Sequence, residues 1–237
     1  LELDAVYVPL DRRLPSERLR LVEQLARLRA VLTAEGVESA GAATGHAPPG
    51  SATAHHDADA YVFFTSGSSG TPKGVLVGRK ALTNLVREAI RSTGLGPGDV
   101  MAASTSTTFD VSLPELLAPL AAGSTVVVAD DRTAADPTLL AELAAATGAT
   151  VLQATPSVWT LLLDHLTVRP RIALATGEAL PRELKDRLLA AADEVYNLYG
   201  PTETTVWSAI WHCAPGPVTV GTAIAHTELH VLDRHLR

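Results

Sequence analysis

The sequence predicts an α/β fold in which strands and helices alternate around a largely parallel sheet, with short β strands at the carboxyl-terminal end. From residue 61 onward, short apolar runs alternate with segments of helical periodicity. This alternation is typical of βαβ units, whose strands run parallel. Pro137, Pro156 and Pro181 stand where helical segments begin, and the first turn of a helix tolerates proline.

The individual elements follow from these patterns in order. Before residue 61 the chain predicts a helix that begins at 15–18 and a short strand at 30–33. The apolar strand candidates beyond that point are 61–64, 75–77, 100–104, 125–129, 150–154, 172–176 and 195–198. The helical segments are 79–93, 112–122, 137–147, 156–165 and 181–192. The end of the chain, 217–236, is interpreted as short strands.

The chain is interpreted as one α/β core in four parts. A lead-in helix and strand occupy 1–38, and a loop rich in Gly, Ala, Pro and His occupies 39–59. The α/β region that would hold a nucleotide and a substrate spans 60–210. The last part, 211–237, is expected to begin a β-rich subdomain.

Composition narrows the class of protein and its partners. Hydrophobic residues make up 46% of 237 residues but aromatic residues only 4%, so Ala, Val and Leu must supply the core. A formal charge of −7 argues against nucleic acid as a general partner. One cysteine, Cys213, forms no disulfide within the chain, and no apolar run of about 18 residues predicts a membrane span. These features favour a cytoplasmic protein with no membrane partner.

A loop rich in Gly, Ser and Thr joins two apolar strands near residue 70. Its backbone N–H groups, its hydroxyls and one lysine suit a polyphosphate. It differs from a Walker A loop because Pro72 precedes the lysine and Gly74 follows it. A flexible polar hairpin is the alternative. The candidate phosphate-binding residues are Thr65, Ser66, Gly67, Ser68, Ser69, Gly70, Thr71 and Lys73.

Three motifs together resemble the adenylate-forming, AMP-binding superfamily. The loop sequence SGSSGTPKG is similar to its phosphate-loop signature. The sequences AVYVPLD at 5–11 and NLYGPTETT at 197–205 resemble the AYVPLD and NxYGPTE motifs of nonribosomal peptide synthetase adenylation domains. The motifs stand in the family's order across nearly the whole chain. The chain is therefore identified as the central part of such an adenylation core.

The resemblance implies a ligase that uses ATP and Mg²⁺ to convert an amino acid into an aminoacyl-AMP. The aminoacyl group would then pass to the phosphopantetheine thiol of a peptidyl carrier protein. An MbtH-like helper protein is a further partner by family analogy. The small C-terminal subdomain, with its catalytic lysine, and the ribose-binding aspartate have no counterpart in the chain. The isolated chain is therefore expected to be weakly active or inactive.

The resemblance also assigns nucleotide and metal contacts. Tyr199 would stack on adenine, Gly200 would allow close approach, and Thr202 would touch the α-phosphate. Glu203 would hold Mg²⁺, a cation that prefers carboxylate and phosphate oxygens; the alternative is a capping carboxylate. Lys73, Thr202 and Glu203 form the expected catalytic set, with a solvated surface lysine as the alternative for Lys73. The remaining nucleotide contacts expected from the motifs are Gly177, Glu178, Ala179 and Asn197.

Asp110 decides between branches of the superfamily. The sequence FDVS at 109–112 matches the FDxS pattern of peptide synthetases, in which the aspartate binds the substrate's α-ammonium. A partly buried carboxylate that faces a cation neutralises a charge that neither group could bury alone. A helix N-cap is the alternative role for Asp110, and the two roles are compatible.

The family's pocket pattern, transferred by position, gives a mixed wall with one charged residue. Trp207 occupies volume and Gln153 and Thr176 can form hydrogen bonds, so a small to medium neutral side chain is expected. Cysteine is the first candidate, followed by other small polar or short aliphatic amino acids. Pro114 departs from the aromatic residue that the family often carries. The substrate-binding set is Asp110, Val111, Pro114, Gln153, Leu174, Thr176, Leu198, Val206 and Trp207.

These segments are expected to converge at one edge of the sheet. Each follows a predicted strand, and ligands of parallel α/β sheets gather beyond the carboxyl ends of the strands. Two other functions stay open at this point. One is an acyl- or aryl-CoA ligase of the same superfamily, against which Asp110 argues. The other is a non-catalytic nucleotide-binding fragment of a split or interrupted adenylation domain.

Overall fold

The computed structural model describes residues 5–11, 13–39, 59–66 and 72–235 of the chain. The chain divides into two compact units, Leu1–Lys80 and Ala81–Arg237. In the part that the structure describes, no helix is both long enough and apolar enough to span a membrane.

The described residues of the first unit form a helix and two antiparallel strand pairs. Helix α1 (Ser16–Ala26) precedes a hairpin of β1 (Ala30–Thr33) and β2 (Gly36–Ser39), of which the sequence pattern predicts only the first strand. Strand β3 (Asp59–Thr65) pairs with β4 (Lys73–Gly78). Backbone hydrogen bonds attach the AVYVPLD motif to β3, because Tyr7 N donates to the Ala60 carbonyl at 3.0 Å.

The second unit is built on a seven-stranded sheet. Its strands are β5 (Val100–Ala103), β6 (Thr125–Val128), β7 (Val151–Ala154), β8 (Ile172–Thr176), β9 (Glu194–Tyr199), β10 (Ala209–His212) and β11 (Thr222–Ala223). Their order across the sheet is β11-β10-β9-β8-β7-β5-β6. Strands β5 to β9 are parallel, and β10 and β11 join antiparallel at one side. The predicted α/β class and largely parallel sheet are confirmed.

Some of the helices begin at a side-chain cap. Asp136 and Thr155 accept hydrogen bonds from the first-turn N–H groups of α5 and α6, and both helices start with proline. The short α4 has no counterpart among the predicted elements, because five residues carry too little periodicity to reveal a helix. The helices are α2 (Arg79–Thr93), α3 (Ser112–Ala122), α4 (Asp131–Ala135), α5 (Pro137–Thr147), α6 (Pro156–Leu162) and α7 (Arg182–Ala191).

The two faces of the sheet have different roles. One face packs small residues such as Ala154, Ala173 and Ala175 into a core with α5, α6 and α7. The opposite face carries Gln153 beside Leu174 and Thr176 beside Leu198, because residues in register across a ladder point to the same side. Four of the predicted pocket residues therefore share one face near the carboxyl edge.

The end of the chain departs from the prediction of short strands over 217–236. Among its described residues, only Thr222–Ala223 forms a strand. The segment before it is held by side chains instead of a ladder: Lys185 Nζ donates to the Gly216 carbonyl at 2.8 Å, and Asn197 Nδ2 donates to the Thr219 carbonyl at 2.8 Å. Hydrogen bonds of this kind leave no alternating pattern in the sequence.

Candidate active site

The sheet has a topological switch point between β5 and β7. Strand β6 lies on one side of β5, whereas β7, β8 and β9 follow on the other. Loops that leave the carboxyl ends of such strands diverge and open a crevice for ligands. The loops that follow β5 and β8 carry Asp110 and Gly177, and Tyr199 is the last residue of β9, so all three stand at the carboxyl ends of parallel strands.

Asp110 lies directly before α3 and is 3% exposed. Burial raises the pKa of its carboxyl group, a hydrogen bond from the Thr202 hydroxyl opposes this effect, and the charge of Glu203 raises the pKa further. The loop after β9 therefore reaches the loop after β5. The N-cap position of α3 belongs to Val111, and no side chain caps this helix, so the capping role for Asp110 is not realised.

A second buried acid lies on the helix that follows Asp110. Glu115, on α3, is 1% exposed and accepts hydrogen bonds from Ser104 N at 3.0 Å and Thr105 N at 2.9 Å. Burial raises the pKa of Glu115 to about 7 despite these bonds. The carboxylate ties the end of β5 to the first turns of α3. Glu115 has no distinguishing signal in the sequence, since an acid within a helical segment resembles a solvated surface residue.

Three buried polar atoms near this position have no hydrogen-bond partner among the described residues. They are Asp110 Oδ2, Gln153 Oε1 and Trp207 Nε1. Gln153 Nε2 donates to the Val111 carbonyl at 3.1 Å, which fixes the amide beside the start of α3. Buried polar groups in proteins are almost always paired, so unpaired ones indicate a place where a ligand completes the bonding.

The predicted substrate pocket lies entirely within the second unit, and each of its nine residues is buried. Gln153 connects the face of the sheet to Val111, and Thr202 connects Asp110 to the loop that leads to Val206 and Trp207. These contacts connect the three parts of the chain that contribute the predicted pocket residues. Pro114 occupies the first turn of α3.

The loop after β9 folds back on itself under strain. Thr205 and Val206 have φ values of 69° and 65°, which β-branched residues rarely adopt. Trp207 N donates to the Thr205 carbonyl at 2.7 Å, which closes a three-residue turn on Val206. A Cβ on Gly200 would lie 2.6 Å from Ser208 N, so the chain's own close return already requires this glycine. Strain of this kind is typical of functional sites.

A cleft of about 480 Å³ opens beside this loop, a volume within the range of small-molecule sites. Tyr199 is 51% exposed at its wall, which leaves the ring free to stack on a planar ligand. Gly177 adopts a φ of 82°, and a Cβ there would lie 3.3 Å from the Phe109 ring. The lining residues are Gly177, Glu178, Ala179, Leu180, Asn197, Leu198, Tyr199, Gly200, Pro201, Val218, Thr219 and Val220.

Glu178 has a structural task at the rim of the cleft. Its carboxylate accepts hydrogen bonds from Ser157 N at 3.0 Å and from Ser157 Oγ at 2.6 Å, at the start of α6. The Ser157 hydroxyl holds the pKa of Glu178 below its usual value. The side chain is exposed, but its hydrogen bonds hold it at the start of α6. The part of 177–179 that is available to the cleft is therefore the backbone.

The far wall of the cleft could not be recognised in the sequence. Val218, Thr219 and Val220 belong to a segment that Asn197 holds from the sheet and Lys185 holds from α7. Lys185 has no exposed surface, although a lysine in an amphipathic helix ordinarily lies in solvent. No residue pattern marks this contact between positions distant in the chain.

The first unit carries the ends of the phosphate-loop candidate. Thr65 and Lys73 stand opposite each other across the β3–β4 pair, so the loop is the connection of a hairpin. Ser66 and Lys73 are exposed. The candidates Gly67, Ser68, Ser69, Gly70 and Thr71 lie outside the described residues.

Glu203 suits the metal ion that the motifs imply. Its carboxylate is exposed, and no hydrogen bond or ion pair engages it within the part of the chain that the structure describes. The same residues contain no group of three or more His, Cys, Asp or Glu side chains that could hold a metal by themselves. Mg²⁺ is commonly bound by one or two carboxylates together with substrate phosphates. A single carboxylate without a partner among the described residues, close in the chain to the cleft residue Pro201, fits that mode.

Comparison with known proteins agrees with this geometry. The family model described as AMP-binding enzyme matches residues 1–237. The chain is similar to a dimodular nonribosomal peptide synthase of Bacillus subtilis (strain 168), with 33% identity over all of the chain but only 11% of that protein.

Solved structures give the same result. A four-domain nonribosomal peptide synthetase, holo-AB3403 bound to AMP and glycine, matches with a TM-score of 0.81 and 31% identity over 98% of this chain and 18% of its own. The synthetase FmoA3 in its α-methyl-L-serine-AMP bound form matches with a TM-score of 0.80 and 30% identity, over 98% of this chain and 29% of its own.

Proposed function

Because the chain belongs to the AMP-binding enzymes, among the adenylation domains of nonribosomal peptide synthetases, we propose that it activates an amino acid as an aminoacyl-AMP. The aminoacyl group would then pass to the phosphopantetheine thiol of a carrier protein. The relatives are far longer than this chain, so the later transfer is proposed from the family as a whole.

The proposed reaction has one bond-forming and one bond-breaking event. A carboxylate oxygen of the amino acid attacks the α-phosphorus of ATP, and the bond to the β-phosphate oxygen breaks to release pyrophosphate. Tyr199 would stack on adenine in the cleft, and Thr202 would contact the α-phosphate. Lys73 would contact the outgoing phosphates, with Thr65 and Ser66 beside it. Such groups act by position and electrostatics.

Glu203 would hold Mg²⁺, which supplies charge neutralisation at the phosphates when bound. Because Glu203 is exposed and unengaged among the described residues, it can take a metal without losing a structural contact. The charge of Glu203 also raises the pKa of Asp110, so a metal ion at Glu203 and a substrate at Asp110 would influence each other electrostatically.

The buried Asp110 carboxylate is the observation that carries the proposal. It has an unpaired oxygen, Oδ2, and the described residues give it no cationic partner. An α-ammonium would complete that bonding and offset the cost of burying the charge. Activation of a carboxylic acid without an amine needs no such group.

The substrate is proposed to be a small neutral amino acid. Trp207, Gln153, Leu174 and Val206 are each 4% exposed or less, so bulky side chains fill the wall of the pocket. Cysteine is the first candidate. Glycine and other small amino acids are close alternatives, since similar structures were solved with glycine and with α-methyl-L-serine-AMP.

The test is amino-acid-dependent exchange of labelled pyrophosphate into ATP, measured with the natural protein that carries this sequence. All twenty amino acids are compared at equal concentration. One or a few small neutral amino acids are expected to support exchange, at least about tenfold above lysine, glutamate or tryptophan. Exchange with none of the twenty, or only with acids that lack the amine, would overturn the proposal.

A further inference from the structure

We infer that Gln153 provides a second hydrogen-bond acceptor for the substrate's α-ammonium, beside Asp110. The inference rests on the proposed function, because it assigns a role within the same site. It gives Gln153 a contact with the ammonium group in addition to its place in the wall for the substrate's side chain.

The first step is the pair of unpaired acceptors. Asp110 Oδ2 and Gln153 Oε1 are both buried and both without a partner among the described residues. Two acceptors cannot satisfy each other, since each needs a donor. Leaving either unpaired in the interior is energetically unfavourable. A ligand that presents donors in more than one direction would satisfy both.

The second step is the position of the amide. Gln153 Nε2 donates to the Val111 carbonyl at 3.1 Å, and Val111 is the residue after Asp110. This bond determines which end of the amide carries the oxygen, because the nitrogen must face the carbonyl. It also holds the Gln153 amide next to the backbone from which the Asp110 side chain extends.

The third step is the chemistry of the ligand. An ammonium group carries three N–H donors and no acceptor. Asp110 supplies the charge and one acceptor, its unpaired Oδ2. A neutral amide oxygen adds an acceptor without adding a second buried charge, which a second carboxylate would do. A primary ammonium is therefore a better match for the two acceptors than a hydroxyl, which has one donor.

The experiment compares Gln153→Met with the unchanged protein, using the amino acid that gives the fastest pyrophosphate exchange. Its deaminated counterpart, with hydrogen in place of the amine, is measured as an inhibitor of that exchange. The KM for the amino acid is expected to rise about tenfold in Gln153→Met. The inhibition constant of the deaminated acid should stay within about twofold, because that acid makes no bond to Oε1.

Gln153→Glu is the matched variant. The protonated form of the new carboxyl group keeps an acceptor at this position and donates to the Val111 carbonyl, as the amide does. This variant should bring the KM for the amino acid back to within about threefold of the original. Thermal unfolding of both variants checks that each is folded, and the Glu variant keeps the test decisive if the Met variant is not.

Parallel changes in the KM and the inhibition constant would overturn the inference, because they would show a loss of packing alone. An unchanged KM in Gln153→Met, or failure of glutamate to restore it, would also overturn it. Either result, with amino-acid-dependent exchange intact in the original protein, leaves the proposed function in place. Absence of any amino-acid-dependent exchange removes the proposed function itself.

Discussion

Asp110 is placed where its ionised form is disfavoured in the free protein. Burial and the charge of Glu203 raise the pKa of this carboxyl group, and only hydrogen bonds such as that from Thr202 act in the other direction. A folded protein that held this position for stability alone would carry a neutral residue there. The energetic cost of burying the Asp110 carboxylate is explained if the substrate's ammonium group pairs with it.

Replacing Asp110 with Asn should therefore stabilise the free protein near neutral pH, by about 1 kcal/mol, the scale of one unsatisfied buried polar group. Because the folded-state pKa lies above the unfolded value, the stability that Asp110 contributes is full below pH 3.8. It is lost as the pH rises through the raised pKa. The advantage of Asp110→Asn should grow over that interval in denaturant unfolding measured at several pH values.

Glu142→Gln is the control for this measurement, since Glu142 is an exposed acid on α5. It should leave the free energy of unfolding within about 0.5 kcal/mol at each pH. A less stable Asp110→Asn protein at neutral pH would contradict the view that this carboxylate is held at a cost.

Single residues also show what the sequence could and could not predict. Asp110, Tyr199 and Glu203 could be proposed as site residues from the sequence because motifs mark them. Glu178 is expected among the nucleotide contacts, but its hydrogen bond with Ser157 has no signal in the sequence. Lys185 was missed because its partners are backbone carbonyls, which carry no residue identity.

At the scale of elements, hydrophobic periodicity predicts the parallel strands and the longer helices well. The apolar runs that become β7 and β8 are buried on both faces, which makes them continuous in the sequence. The sequence pattern does not predict strand β10. This strand pairs with β9 because the chain reverses at Thr205 and Val206, which have positive φ values. Formation of this strand therefore depends on a tertiary contact and not on the local sequence pattern.

The wall of the cleft at 218–220 depends on α7. Lys185 Nζ donates to the carbonyls of Gly216 and Ala214, at 2.8 and 3.3 Å, and pairs with Asp186 at 2.8 Å. Lys185→Met should free this segment and leave two carbonyls without a donor. If ATP binds in the cleft, its KM should rise severalfold while the KM for the amino acid changes less than twofold.

Asp186→Asn is the matched variant, because it removes the charged partner of Lys185 and keeps both bonds to the carbonyls. Asp186 is about half exposed, so its substitution should leave both KM values unchanged. Equal rises in the two KM values for Lys185→Met would mean general loosening and would contradict a specific role at the cleft.

At the scale of the whole second unit, the amino ends and the carboxyl ends of the parallel strands have different roles. We call them the amino edge and the carboxyl edge of the sheet. The amino edge is held by ion pairs and hydrogen bonds. Arg171 Nε donates to Asp99 Oδ1 at 2.9 Å, and Thr150 Oγ1 donates to the same oxygen at 2.9 Å. Burial alone would raise the pKa of Asp99, but these bonds lower it. The carboxyl edge instead leaves acceptors unpaired at Asp110 and Gln153.

The fold class could be predicted at this scale because alternation of strands and helices fixes a parallel sheet. The position proposed for the site follows from the sheet, since ligands of such sheets gather at the carboxyl ends of the strands. The cleft wall and the strained return could not be predicted, because both arise from contacts between distant parts of the chain.

The central claim is that Asp110 selects an amino acid by its ammonium group. The most direct measurement compares pyrophosphate exchange by the natural protein with that of Asp110→Ala, with Glu142→Ala as the control. Amino-acid-dependent exchange is expected to fall at least about a hundredfold in Asp110→Ala and to stay unchanged in the control, as for loss of a buried charge partner. Undiminished exchange in Asp110→Ala would contradict the claim and favour an acid-activating enzyme that does not read the amine.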